Sequence, residues 1–442
     1  MSEQEFRPLD VSIPNEAGWP KKTLDELCSL ISRGTAPVYV ESSSVLAIGQ
    51  RCVTASRFAP EFARPHAERA IRNVLRPEQG DVLLNSTGTG TIGRSVVFDN
   101  DGAFIVDGHV TVLRPKPEAA DGRWLNAVLR TSWGQGHLER FCYAGSTNQL
   151  ELSRKPVKAS MLPVPTVQEQ RGIAQILDTL DTAIRETEAL IDKLKAVKQG
   201  LLHDLLTRGI DANGQLRPPQ SEAPQLYKES PLGWIPREWD CTAVAAIADV
   251  KSGATPSRAM AHLYYAATGI NWVKTLDLNE GLIFETDERI TAQGLRGSSC
   301  VEFPAGTVLV AMYGGWEQIG RTGLLAVKAA TNQAISSLLF RTEHVFPEFI
   351  LRAMQHGRPR WQQVAASTRK DPNITKADAM EFLLPVPPKP EQEMIAGRYR
   401  SVLDQLQIEQ QQALKLKQQK SGLMDDLLTG RVRVTPLLEK SP

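Results

Sequence analysis

Residues 88–93 read Gly-Thr-Gly-Thr-Ile-Gly, the GxGxxG spacing that can cradle a pyrophosphate. That chemistry needs a helix to begin at the loop, so that its first amides meet the phosphates. Here Ser95-Val96-Val97-Phe98 follows, a run built for a strand, and then the turn Asp99-Asn100-Asp101-Gly102. The loop is therefore expected to be a hairpin or bulge that glycine permits, not a nucleotide cradle. Asp371-Pro372-Asn373-Ile374 approaches the Asn/Asp-Pro-Pro-aromatic pattern of base-modifying loops. It lacks the second proline and the ring that would stack on a flipped base, and it reads as a turn. The sequence contains no GxxxxGK[ST] phosphate loop, no HExxH or close His/Cys spacing among its seven histidines, and no GxSxG nucleophile turn. No catalytic residue and no metal ligand is assigned, and the chain is expected to bind no cofactor of its own. Five scattered cysteines without a CxxC fit reduced core thiols. The N-terminus lacks an apolar signal core, and no apolar run reaches the ~18–20 residues of a membrane span. A cytoplasmic protein is expected. A net charge of +1 over 442 residues argues mildly against a free-standing nucleic-acid binder.

The elements that position these loops come as a long repeat. A shift of 222 residues superposes Leu162-Pro163-Val164-Pro165 on Leu384-Pro385-Val386-Pro387, Glu169-Gln170 on Glu391-Gln392, and Leu205-Leu206-Thr207 on Leu427-Leu428-Thr429. The fronts of the halves match loosely, with Gly18-Trp19 set against Gly233-Trp234 and Ile92-Gly93-Arg94 against Ile319-Gly320-Arg321. Each copied segment reads as a long helix. The first carries an apolar seam of Ile173, Leu177, Leu180, Ile184, Ile191, Leu194, Leu201 and Leu205, with Thr187 and Lys198 in the gaps. The second carries Ile395, Tyr399, Val402, Leu406, Ala413, Leu416, Leu423 and Leu427, with Glu409 and Lys420 at the same two places. The 4-3 alternation is that of a coiled coil. At 1.5 Å per residue the run 170–207 is roughly 57 Å long, several times a mean globular helix. A rod pairing with its own copy is favoured over two separate amphipathic helices.

The fold class expected is α+β: two α/β domains in tandem, each followed by a long helix. The divisions are an N-terminal arm at 1–17, a first domain at 18–165, a central helix at 166–209, and a polar surface linker at 210–232. A second domain at 233–387, a distal helix at 388–431 and a tail at 432–442 complete the chain. Short strands at 81–84 and 95–98, and again at 307–310 and 323–326, flank the glycine loops. Helices are expected at 124–131 and 347–356.

This order of variable domain, copied helix, variable domain, copied helix resembles the specificity subunit of type I restriction-modification systems. The likeness extends to Ile48-Gly49-Gln50-Arg51-Cys52-Val53, Trp272-Val273-Lys274-Thr275, Gly306 to Gly314, Ala330-Thr331-Asn332-Gln333-Ala334 and both Leu-Pro-Val-Pro endings, and covers residues 18–431. The resemblance implies a non-catalytic DNA-reading subunit with a bipartite, asymmetric target. Each globular part would be a target-recognition domain on double-stranded DNA, and the two helices would pair antiparallel. Two methyltransferase subunits and two restriction (motor nuclease) subunits would be the partners, and S-adenosylmethionine, ATP and magnesium would belong to them. The alternatives are a self-contained DNA methyltransferase or nuclease, and a coiled-coil scaffold that binds no DNA.

If the domains read DNA, loops at equivalent places in both halves are the candidates, because base edges are read by side chains and phosphates are held by Lys, Arg, hydroxyls and amides. The first is Arg33 with Thr35, mirrored by Lys251, Ser252 and Thr255. The second is the glycine hairpin: Ser86, Thr87, Thr89 and Arg94 in one half, Tyr313, Trp316, Glu317, Gln318 and Arg321 in the other. The third precedes the last strand: Ser146, Thr147, Asn148 and Gln149, mirrored by Ser367, Thr368, Arg369 and Lys370. His109 and Asn332-Gln333 are weaker candidates. Trp19 and Trp234 are expected in the core.

Overall fold

In a computed structural model, residues 8–68, 74–145, 150–341, 343–365 and 373–435 are described. The chain divides into two units, Met1–Glu188 with Gln411–Pro442, and Ala189–Gln410.

The first unit is built on a four-stranded antiparallel sheet in the order Cys28–Arg33, Val110–Pro115, Val82–Asn85, Ser95–Val97. A strand turns successive side chains to opposite faces, and the central strand uses both. Leu83 packs with Phe58, Phe98 and Phe104, whose rings meet edge to face at 5.2–5.7 Å. Val82 and Leu84 pack on the other side with Trp124, Leu125 and Val128. Over the first face lies a small sheet of Arg64–Pro65, Leu46–Ile48 and Phe104–Val106. On the second lies the helix Gly122–Arg130, capped by the Asp121 carboxylate on the amides of Arg123 and Trp124. Val82 pairs with Val97 and Leu84 with Ser95, so the glycine loop joins an antiparallel hairpin and no helix starts there.

The second unit repeats the plan. The strand Val308–Ala311 sends Leu309 and Ala311 to one face and Val308 and Val310 to the other. Its main sheet gains a fifth strand, Leu282–Ile283. The helix Pro347–His356 stands where Gly122–Arg130 stands in the first unit. The register of the copies is fixed by a close approach. A side chain at Gly34 would collide with the Val106 carbonyl, and one at Gly253 with the Thr331 carbonyl, so both positions must be glycine.

Both long helices form, over Val167–Thr207 and Lys389–Thr429. Within the first unit the start of one meets the end of the other: Ile173, Ala174 and Leu177 share a core with Leu423, Met424, Leu427 and Leu428. Within the second unit Leu201, Leu202, Leu205 and Leu206 share a core with Ile395, Tyr399 and Leu403. Start against end in both units is antiparallel pairing. The seam residues Ile173, Leu177, Ile184, Ile191, Leu205, Ile395, Tyr399, Leu406, Ala413 and Leu427 are buried, while Leu180, Leu194, Val402 and Leu416 are half-buried. One polar gap is explained: Lys420 donates to Asp181 at 2.6 Å inside the first unit.

The copied Glu-Gln pair is a structural clamp. Gln170 accepts from the Asp121 amide and donates to the carbonyls of Ala119 and Pro165; Gln392 accepts from the Phe346 amide and donates to those of His344 and Pro387. Both glutamines are fully buried, and each ties a long helix to the turn that opens its domain's helix. Glu391 binds Arg217, and Glu169 binds Arg433.

Two expectations are corrected. The segment 210–232 is not a bare surface linker. Ile210 is buried, Arg217 is buried against Glu391, and Tyr227–Ser230 pairs with Gly233–Pro236 as a hairpin. Trp234 lies on that hairpin with 48% of its surface exposed, so it is no core residue. The true counterpart of the buried Trp19 is Trp239, since each precedes a short strand, a one-turn helix and the first long strand.

Candidate nucleic-acid interface

In the first unit the loops converge around one open cleft of about 630 Å³, lined by Thr87, Gly88, Thr89, His109, Ala144, Gly145, Leu150 and Glu151. A polar network forms its wall. The Thr87 hydroxyl sits 2.8 Å from His109 Nδ1 and also accepts from the Gln50 amide nitrogen. The His109 backbone amide donates to Asp107 Oδ1 at 3.1 Å, and the Tyr39 hydroxyl donates to Asp107 Oδ2 at 2.9 Å. Burial, reinforced by that carboxylate, raises the Tyr39 hydroxyl above its ordinary range and keeps it a neutral donor. The Arg64 guanidinium lies over the Tyr39 ring, 3.6 Å from its centre. Thr89 and His109 are exposed at this wall, and Thr87, half-buried, is fixed between Gln50 and His109.

Other expected residues do different work. Ser86 is fully buried and bonds the Thr111 hydroxyl at 2.5 Å, so it reaches no ligand. Arg33 is committed to the frame, donating to Glu151 at 3.0 Å, to the Leu152 carbonyl at 2.9 Å and to the Ser86 carbonyl at 3.4 Å. Thr35 and Arg94 are exposed. Ser146, Thr147, Asn148 and Gln149 lie outside the described residues, as do Ser367, Thr368, Arg369 and Lys370.

In the second unit Tyr313 and Trp316 are exposed by nearly half, and Glu317 is exposed. Gln318 accepts from Arg321 at 3.3 Å. Arg358 holds this hairpin from behind, donating to the carbonyls of Ile319 and Glu317 at 3.0 and 2.6 Å. In the first unit Gln135 donates to the Gly93 carbonyl at 2.9 Å and does the same job. Thr255 donates to Gln333 at 2.5 Å, which brings the first loop to the weaker candidate, while Lys251 and Ser252 stay exposed. Trp316 departs from expectation. It lines a cleft of about 460 Å³ with Lys198, Leu202, Arg358, Trp361 and Tyr399, on the side of the hairpin that faces the long helices.

Sequence reasoning missed Tyr39, Gln50, Asp107 and Arg64, and in the second unit Arg258, Tyr265 and Glu288. The available signal was the phrase Gly49-Gln50-Arg51. Arg258 lies over the Tyr265 ring at 4.2 Å and is forked to Glu288 at 2.6 and 3.2 Å, and Lys274 reaches the same carboxylate at 2.8 Å. The Arg258 and Lys274 hydrogen bonds hold the Glu288 acid down at about 2. Among the described residues no group of three or more His, Cys, Asp or Glu is arranged to hold a metal, and no helix is long and apolar enough to cross a membrane.

The description "Type I restriction modification DNA specificity domain" matches residues 16–196 and again 236–418. The chain belongs to the type I restriction-modification DNA specificity family. A Methanocaldococcus jannaschii protein provisionally named the type I restriction enzyme MjaX specificity subunit is 22% identical over 369 residues, covering 80% of this chain and 79% of the relative. The type I restriction enzyme MjaVIII specificity subunit of the same organism is 23% identical over 283 residues, covering 62% and 63%. In fold, this specificity subunit matches the crystal structure of a type I restriction-modification S subunit from M. genitalium with a TM-score of 0.57. That match has 14% identity over 96% of this chain and 99% of the other. A chain from a structure of type I restriction-modification complex assembly gives a TM-score of 0.54, with 16% identity over 95% and 100%.

Proposed function

We propose that each unit of this specificity subunit reads one half of a bipartite, asymmetric DNA target, and that the chain itself performs no chemistry. The observation that carries the reading is the pair of specificity domains, the first with Thr87, Thr89 and His109 around one cleft, the second with Thr255 bonded to Gln333 and a hairpin that carries Tyr313 and Gln318. Thr87, Thr89 and His109 serve one half-site; Thr255, Gln333, Gln318 and Tyr313 serve the other. The two sets differ in type, so the half-sites differ in sequence. Two methyltransferase subunits and two restriction subunits assemble on the chain in the cytoplasm, and they bring S-adenosylmethionine, ATP and magnesium. The test is binding by the chain with its methyltransferase partner. Duplexes carrying the methylated motif of the host genome should compete at least about a thousandfold better than scrambled duplexes, the lower end of the range of specific over non-specific binding. Methyl transfer by the purified chain alone would overturn the non-catalytic assignment.

A further inference from the structure

Two arginines beside the first unit's cleft, Arg51 and Arg64, are exposed, and each guanidinium lies over an exposed ring. Arg51 is 4.8 Å from the centre of Phe62, and Arg64 is 3.6 Å from that of Tyr39. Among the described residues no carboxylate comes within ion-pair distance of either, whereas Arg33, Arg57, Arg114 and Arg123 each hold one. A guanidinium held over a ring has surrendered part of its rotamer freedom before a ligand arrives. Both are wired to the cleft wall. Arg51 follows Gln50, whose side chain donates to Thr87 and whose carbonyl accepts from Asn85 at 3.2 Å. The ring under Arg64 belongs to Tyr39, which bonds the Asp107 that holds His109.

The second unit supplies the contrast within the same chain. Tyr39 pairs across strands with His66, and Tyr265 with Ile290, so the two tyrosines occupy the same place. Two residues before those partners stand Arg64 in one unit and Glu288 in the other. The guanidinium over Tyr265 comes instead from Arg258, and Glu288 neutralises it through a forked pair. The guanidinium on this platform is thus free of a carboxylate in one unit and bound to one, which Lys274 shares, in the other.

We infer that Arg51 and Arg64 hold backbone phosphates flanking the half-site read by the first unit, and that Arg258 is a structural pair member that holds none. The inference rests on the proposed DNA-reading role. Phosphate contacts set register without reading sequence, and each one neutralised steepens the fall of log affinity against log salt by about 0.9.

The test measures that slope by fluorescence anisotropy for the assembled chain and methyltransferase complex, on cognate and scrambled duplexes. R51Q and R64Q should each reduce the slope by roughly one contact's worth and weaken both duplexes alike. R64K should keep the slope, and R258Q should leave it unchanged. All three side chains are at the surface, and co-elution of each of the four variants with its partner shows that assembly is intact. Unchanged slopes in R51Q and R64Q, while the unaltered complex still prefers its cognate duplex, would overturn this inference alone. A slope loss in R258Q equal to that in R64Q would also overturn it. No preference for cognate DNA in the unaltered complex would remove the proposed function and this inference together.

Discussion

Replacing Arg217 by Met, and separately Arg433 by Met, asks how one repeated ion pair behaves in two environments. Arg217 and Glu391 have side chains 9% and 7% exposed and meet through two contacts of 2.5 and 3.1 Å. Removing one member of a buried pair costs about 3–5 kcal/mol, mostly because the remaining charge is stranded. Glu391 would keep the Ile210 amide at 2.8 Å and its place in the first turn of the distal helix. Those offset about 1 kcal/mol, leaving a loss of roughly 3 kcal/mol for R217M. The Arg433 side chain is 44% exposed, so water screens its pair with Glu169. Glu169 also keeps the Thr166 amide and hydroxyl and the Thr435 hydroxyl. R433M should therefore cost only about 1 kcal/mol. Amide exchange followed by mass spectrometry separates the two units, which matters because a chain of this size need not unfold in one step. At about tenfold per 1.4 kcal/mol, the slowest peptides of residues 308–311 should lose on the order of a hundredfold protection in R217M. The slowest peptides of residues 82–85 should lose about fivefold in R433M. Equal losses in the two variants, or none in R217M, would refute the assignment of the cost to burial.

Other outcomes follow from the same geometry. Q170L strands three backbone groups, the buried Pro165 carbonyl and the half-buried Asp121 amide and Ala119 carbonyl; urea unfolding of the first unit should show a loss of about 3 kcal/mol. Q318A should lower discrimination at one base pair by about 1–3 kcal/mol, read by competition with single-substituted duplexes, and leave affinity for scrambled DNA unchanged. Burial lowers the His137 and His356 imidazoles from 6.5, aided at His356 by His203 and Arg360. The unfolded chain therefore takes up protons that the fold refuses, so stability is intact above pH 6.5 and falls as pH drops below it. The double variant H137Q/H356Q should flatten that fall in urea midpoints between pH 7.5 and 5.5.

The architecture was legible because its signals are local and repeated. The seam from Ile173 to Leu205 and its copy from Ile395 to Leu427 specify two long helices by period alone. The hairpin at 86–94 was legible from the strand that follows its glycines. Pairing Trp19 with Trp234 misled because the hairpin Tyr227–Pro236 intervenes; the buried equivalent, Trp239, sits behind it. The linker reading failed because polarity was taken for exposure, whereas Arg217 is polar and buried, with its charge met by a residue 174 positions away. The cleft was half legible. Hydroxyl-rich turns mark its rim, but a serine that reads DNA and one that bonds Thr111 inside the sheet look alike in sequence. The network from Gln50 through Thr87 to His109 spans separations of 37 and 22 residues, and only the sheet register brings them together.

The central claim is that each unit reads its own half-site. Its most direct measurement is the map of methylated motifs in a host whose chain carries residues 233–387 from a relative of different specificity. The account predicts a bipartite motif in which one half changes and the other is retained base for base. Alteration of both halves, or an unchanged motif with methylation intact, would contradict it.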